Sequence, residues 1–185
     1  MMFLTDFADE AVVLPLWLAL GAALALIGWR RGAVAWLGAV GGTLLVVAIG
    51  KLAGLACGPS WLRSPSGHTA AAGVVCGGIA VLAGLEGGAV MLVAASGAAL
   101  IGATRLLLGA HSVGEVLVGA AAGLAGAWVL ARWAGARPEG LRLRWLAVTA
   151  ATVVVLFHGL MLPAEPRLTE AGRWLDGGLG VCRGG

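Results

Sequence analysis

Six apolar runs, parted by short breaks that gather most of the charge, set the pattern of this chain. They cover residues 12–29, 33–57, 69–85, 89–108, 113–131 and 145–162. Each is long enough, or nearly so, to cross roughly 30 Å of hydrocarbon as a helix. None alternates polar and apolar positions with the period of two that marks a half-buried strand. In lipid only helices and closed barrels satisfy every backbone group. The pattern therefore predicts an all-α fold, a six-transmembrane-helix bundle with short loops, as one membrane domain over residues 1–162. Arg30 to Gly32 and Glu86 to Gly88 turn the first and second pairs into hairpins. Ahead of the first run, Met1 to Ala11 mixes Phe3, Leu4 and Phe7 with acids, which suits a segment lying along the interface. The tail, residues 163–185, is polar. Leu168, Ala171, Leu175 and Leu179 recur there at helical spacing opposite Arg167, Glu170 and Arg173, so it reads either as a short interfacial helix or as a disordered tail.

Composition agrees with a membrane protein: the 185 residues are 60% hydrophobic and 11% charged, with mean hydropathy +0.98. Among them are 32 glycines, small residues that let helices approach closely in lipid. Arginines are scattered over helix ends and loops with no basic stripe, which argues against nucleic acid as a partner. Cys57, Cys76 and Cys182 have no metal-ligand spacing and are too few for a disulfide framework. Asp6, Asp9 and Glu10 near the start do not make the basic leader of a cleaved signal peptide.

Charge also orients the bundle. Arg30 and Arg31 lie between runs one and two, and Arg132, Arg137, Arg142 and Arg144 between five and six. With six spans these connections share one side, which the positive-inside rule makes cytoplasmic. The connections at residues 60–68 and 109–112, and both termini, then face outward from the plasma (inner) membrane. Trp29, Trp36, Trp133 and Trp145 would mark the inner boundary and Trp61 the outer one.

The outward breaks hold the candidate chemistry. Ionisable groups at membrane depth are costly and mark functional sites by default. Pro65-Ser66-Gly67-His68 precedes the third run, with Ser66 placed to cap it and Gly67 to let backbone approach a ligand. A helix N-terminus is a ready anion site. Arg105 offers a planar fork for phosphate oxygens, and Lys51, about two turns below the outer end of run two, can snorkel to the same place. Three positive elements on one spot want a multiply charged anion. His111 and Glu115, four apart, share a face if that turn is helical, and a carboxylate on one imidazole nitrogen frees the other as a nucleophile. Other readings stand beside these. Ser112-x-x-Glu115 is also a capping box, and the alternative for His68 and His111 is an interfacial histidine. His158 reads as a satisfied packing residue.

These residues resemble a known family. Pro65-Ser66-Gly67-His68, followed by Thr104-Arg105-x5-His111-x3-Glu115, is similar to the second and third motifs of the type 2 phosphatidic acid phosphatase (lipid phosphate phosphatase) superfamily. The family pattern is Lys-x6-Arg-Pro, Pro-Ser-Gly-His, then Ser-Arg-x5-His-x3-Asp. Three departures stand out: Gly58 replaces the first arginine, Thr104 the serine and Glu115 the aspartate. Arg63, just before the second motif, is a weaker candidate to supply the missing charge. The resemblance implies phosphoryl transfer without metal or other cofactor. His111 would be the nucleophile, oriented by Glu115, and His68 the general acid and base. Lys51, Arg105 and the backbone at Ser66 and Gly67 would hold the phosphate oxygens.

The implied substrate is a lipid phosphate presented from the bilayer, such as phosphatidate, phosphatidylglycerol phosphate or a polyprenyl diphosphate. A lipid-to-lipid phosphotransferase would use the same site. A non-catalytic channel, transporter or scaffold is the rival of another class, although the polar residues crowd one face and no pair of broken helices marks the midplane.

Overall fold

The computed structural model describes residues 2–59, 62–162 and 164–179. The helices are α1 (Met2–Thr5), α2 (Glu10–Leu26), α3 (Arg30–Cys57), α4 (Gly67–Leu82), α5 (Gly87–Leu107), α6 (Val113–Trp133), α7 (Leu143–Phe157) and α8 (Ala164–Leu179), with α2 to α7 falling on the six apolar runs. A single 3₁₀ turn, Asp6–Ala8, joins α1 to α2. Among the described residues there is no strand. Boundaries shift by a few residues: the first hairpin turns at 27–29 and the second at 83–86, each just ahead of the expected connection.

Among the described residues, four stretches are long and apolar enough to cross a membrane: Met2–Leu26, Arg30–Cys57, Gly87–Leu107 and Val113–Trp133. Helices α4 and α7, with 16 and 15 residues, are shorter. At about 1.5 Å per residue they fall below the 30 Å of a bilayer core. For α4 the reason is its position. It is the central helix, packed on α3, α5 and α6, with most of its side chains buried. The chain leading into it, from Pro65 to Gly67, is buried as well, so a loop rather than a helix covers part of the depth.

Close backbone approach holds this centre. A Cβ on Gly119 of α6 would run into the Ser66 carbonyl oxygen, and one on Gly123 would lie 2.5 Å from the Ala70 oxygen. An added methyl at either position forces backbone apart, a cost of about 1–3 kcal/mol. Small residues thus let α6 lie against the start of α4 and fix the depth of the Pro65–His68 turn. Beside this seam, Trp36 is fully buried and its indole N–H donates to the Trp17 carbonyl at 2.9 Å, while Trp17 donates to Leu37 at the same distance. Trp29 is buried too, its N–H donating to Ala134 oxygen at 3.2 Å. Trp29 and Trp36 therefore belong to the core and not to an interfacial belt, a correction to the sequence reading. Their indole N–H groups reach carbonyls of neighbouring segments, which offsets the cost of burying them. Trp133 and Trp145 are exposed, as a belt requires; Trp61 lies outside the described residues.

The two ends of the bundle differ in chemistry. At one end Arg31 donates to the Trp133 oxygen at 2.9 Å and Arg137 to the Ala83 oxygen at 3.1 Å. The connections after α2, α4 and α6 therefore meet there. At the other end lie the Pro65–His68 turn, the connection 108–112 and the N-terminal segment. The N-terminal segment does not simply lie along the interface: Thr5, Ala8 and Asp9 are buried. His158 anchors it, its ring packing on Phe3 and Phe7 with centroids 4.7 and 4.4 Å apart. Its Nε2 donates to the Phe3 carbonyl at 3.0 Å. In the tail, residues 164–179 form helix α8, packed on α3 where Gly172 meets the Leu55 side chain. Ala171, expected on the apolar face, is exposed, because contact runs through the next residue.

Candidate active site

The polar residues singled out in sequence converge at the end opposite the arginine-bearing loops. Ser66 caps α4: its Oγ accepts from Thr69 N–H at 3.4 Å and bonds Thr69 Oγ1 at 2.8 Å. This sets the first turn of α4, with His68 in it, at a buried helix N-terminus. The Ser66 backbone N–H, expected to face phosphate, instead donates to the Glu115 carbonyl at 3.0 Å. That corrects the reading of the Ser66 backbone, whose N–H is committed to holding α4 against α6.

Glu115 ties three segments together. Its Oε1 accepts from Arg63 N–H at 3.2 Å and Ser64 N–H at 2.7 Å. Its Oε2 accepts from Ser112 N–H at 2.9 Å and lies 3.2 Å from His111 Nδ1. The capping box and the imidazole contact are both present, so the two readings of Glu115 are not exclusive. An ionised carboxylate only accepts, so Nδ1 carries the proton and Nε2 of His111 keeps its lone pair. The His111 side chain is 3% exposed, protected from the solvent that would compete for this bond.

Lys51 is buried in α3 beneath the bare face of Gly67. A Cβ at Gly67 would lie 3.7 Å from Lys51 Nζ and 3.5 Å from Glu10 Oε1. Arg105 and His68 line one cavity of about 340 Å³ with Thr5, Asp6, Asp9 and Glu10. Thr104 is buried, its hydroxyl turned back to the Ile101 carbonyl at 2.7 Å. The Arg63 side chain is exposed, while its backbone serves Glu115.

Gly58 has a steric explanation. A Cβ there would strike the Gly54 carbonyl oxygen and come within 2.6 Å of the Leu62 oxygen. The loop after α3 folds back onto the helix end, and no arginine fits where the family pattern has one.

Sequence reasoning missed the N-terminal acids. Asp9 caps α2, its Oδ1 accepting from Ala11 N–H at 2.8 Å, while Oδ2 lies 3.6 Å from His68 Nε2. Asp9, Glu10 and His68 bring one ligand atom each within 4.8 Å of one another. The N-terminal acids are therefore at the site, and the group has the donor types of a single cation site, though not of a two-metal centre. An aspartate directly before an apolar run is a recognisable helix cap, but nothing in the sequence says where that cap docks. A second missed feature is Cys57, which is disulfide-bonded, while Cys76 is free.

No curated protein and no solved structure matches the chain. A family model does: that of the PAP2 superfamily, over residues 52–139. The match begins one residue after Lys51 and takes in Ser66, Gly67, His68, Arg105, His111 and Glu115. Over that segment, just under half of the chain, the protein is similar to the PAP2 superfamily, whose members are phosphatases.

Proposed function

We propose that this chain is an integral membrane phosphatase that removes phosphate from a lipid phosphate or diphosphate through a phosphohistidine, at the outer face of the membrane. The observation that carries the proposal is the His111–Glu115 pair: Nδ1 sits 3.2 Å from a carboxylate that three backbone N–H groups hold in place. Such an imidazole is oriented and presents Nε2 as a nucleophile. In the first step His111 Nε2 bonds to phosphorus while the bond to the leaving oxygen breaks, and His68 gives that oxygen a proton. In the second, water attacks phosphorus, the P–N bond breaks, and His68 takes the water's proton. Lys51, Arg105 and the start of α4 at Gly67 stabilise the charge on the phosphoryl oxygens. Arg63, exposed at the rim, is the weaker candidate for a further contact.

A lipid substrate is supported by a second cavity of about 260 Å³. It lies one turn deeper on the same helices, beside Ala71, Ala72 and Ile101, and its lining is almost wholly apolar. A headgroup at His68 and Arg105 would leave its chain pointing there. Six crossings are proposed as well, with α4 lengthened by the buried turn ahead of it and α7 by the apolar Leu160, Met161 and Leu162 that follow it. The disulfide at Cys57 supports the outward orientation independently of the arginine count. Cys57 ends α3 on the site's side, and disulfides persist in oxidising compartments.

Purified protein presented with a panel of lipid phosphates and diphosphates, after exhaustive chelation, is expected to release inorganic phosphate from at least one of them. Release that vanishes on chelation and returns with a divalent ion would replace the metal-free mechanism with one using the Asp9–Glu10–His68 group. Transfer of the phosphoryl group to an added lipid alcohol in place of water would make the chain a phosphotransferase. For sidedness, single cysteines at Ala110 and Glu139 in a cysteine-free background can be probed with an impermeant thiol reagent on right-side-out vesicles. Labelling at position 110 and protection at 139 is expected; the reverse would put the site in the cytoplasm.

A further inference from the structure

Helix α8 has no part in the proposed chemistry, yet it lies across the site. Leu168, Thr169 and Gly172 form its inward side, while Arg167, Glu170, Ala171 and Trp174 are exposed. Gly172 sits so close to α3 that a Cβ there would come within 2.7 Å of the Leu55 Cβ. Leu55 is one turn beyond Lys51 towards the site's end of α3, and residues four apart share a helix face. The contact therefore covers the face of α3 that carries Lys51 to Gly67. Six residues earlier, about 9 Å along the helix, Pro166 lines the 340 Å³ cavity that holds His68 and Arg105. Beneath this span Lys51 is 3% exposed, although it lies less than two turns from the end of its helix.

The rim of that cavity is apolar. Met2, Met161 and Leu162 line it and are exposed, and Phe3 and Leu160 beside them are exposed too. Large apolar side chains around a polar cavity suit a mouth that opens on lipid, because in water they would form an unfavourable exposed patch. Resting on the phosphatase reading, we propose that α8, seated by Gly172, roofs the site on its aqueous side and so sets the substrate class. Phosphate esters dissolved in water are excluded, and those held in the bilayer enter sideways past Met2, Met161 and Leu162. Gly172 is then a specificity-determining residue that touches no substrate. Any side chain at 172 meets the Leu55 Cβ, which the backbone fixes and which cannot swing aside as a side-chain tip can.

Two variants unseat α8 by different means: Gly172→Leu adds bulk against Leu55, and Gly172→Pro breaks the helix in its interior. In mixed micelles the wild type is expected to turn over a lipid phosphate and leave a water-soluble aryl phosphate nearly untouched. Both variants should raise kcat/KM on the soluble ester about tenfold or more, and change it on the lipid by less than about threefold. Adding Leu55→Ala to Gly172→Leu should return most of the exclusion. Access to the cavity gives a readout that does not depend on turnover. Thr5 is 3% exposed and lines the same cavity, so Thr5→Cys, in a Cys76→Ala background that keeps the disulfide, reports it. A water-soluble thiol reagent should label this cysteine slowly in the parent and about tenfold faster with either Gly172 change. Faster labelling in a protein that releases no phosphate from any ester would support the roof while ending the phosphatase reading. A soluble ester still excluded by an active variant that labels fast would overturn the selective role. Labelling and substrate preference unmoved in both variants would overturn the roof itself and leave α8 as a surface helix.

Discussion

His111→Ala is expected to abolish phosphate release, by at least about a thousandfold, in a protein that still folds. The expectation of folding comes from the geometry. Removing the imidazole takes away one of the four bonds to Glu115 and leaves those from Arg63, Ser64 and Ser112 N–H. The turn that packs α6 against α4 therefore keeps its anchor. Chemistry has no such reserve, because no other imidazole here has a carboxylate four residues on in the same helical turn. Phosphate release per folded molecule, with elution volume and melting temperature in detergent as controls, checks the claim. Brief reaction with radiolabelled substrate should also trap acid-labile label in the wild type and none in the variant. Activity above a few per cent of wild type would remove His111 as the nucleophile.

Much of this arrangement is legible in the chain because it depends on short-range spacing. Helices follow from apolar run length, and the His111–Glu115 contact from a four-residue separation. The cap at Ser66 follows from its place before an apolar run. What the sequence hides is docking between segments far apart along the chain. Asp9 and Glu10 precede His68 by nearly sixty residues, and only the return of α3 to the site's end of the bundle, with the turn before α2 packed on α4, brings them together. Trp36 shows the same limit. A tryptophan near the end of an apolar run reads as interfacial until the Trp17 carbonyl is found opposite its N–H. The absence of an arginine at 58 is visible in sequence, whereas its cause, backbone filling the space above Gly58, exists only in three dimensions.

The second large effect belongs to Glu115, where fold and chemistry share one side chain. Glutamine there cannot reproduce four accepted bonds, since one end of its amide is a donor. With its NH2 toward Arg63 and Ser64 N–H, the loop before Pro65 loses its anchor. With its NH2 toward Ser112 N–H and His111, the capping box fails and Nδ1 is forced into the other tautomer, which puts the proton on Nε2. The first orientation strands two part-buried donors and the second one, at up to about 1–3 kcal/mol each. Glu115→Gln is thus expected to lower stability by a few kcal/mol and kcat/KM by roughly a hundredfold to ten-thousandfold, the scale for mis-set histidine tautomers. Glu115→Asp separates the two duties. It keeps the charge but withdraws it by one methylene, so the reach from α6 to the 63–64 turn suffers before the contact with His111 does. Aspartate should therefore retain far more activity than glutamine at comparable loss of melting temperature. If the two variants instead lose activity in proportion to stability, measured well below both melting points, Glu115 is a fold residue and His111 is oriented by something else.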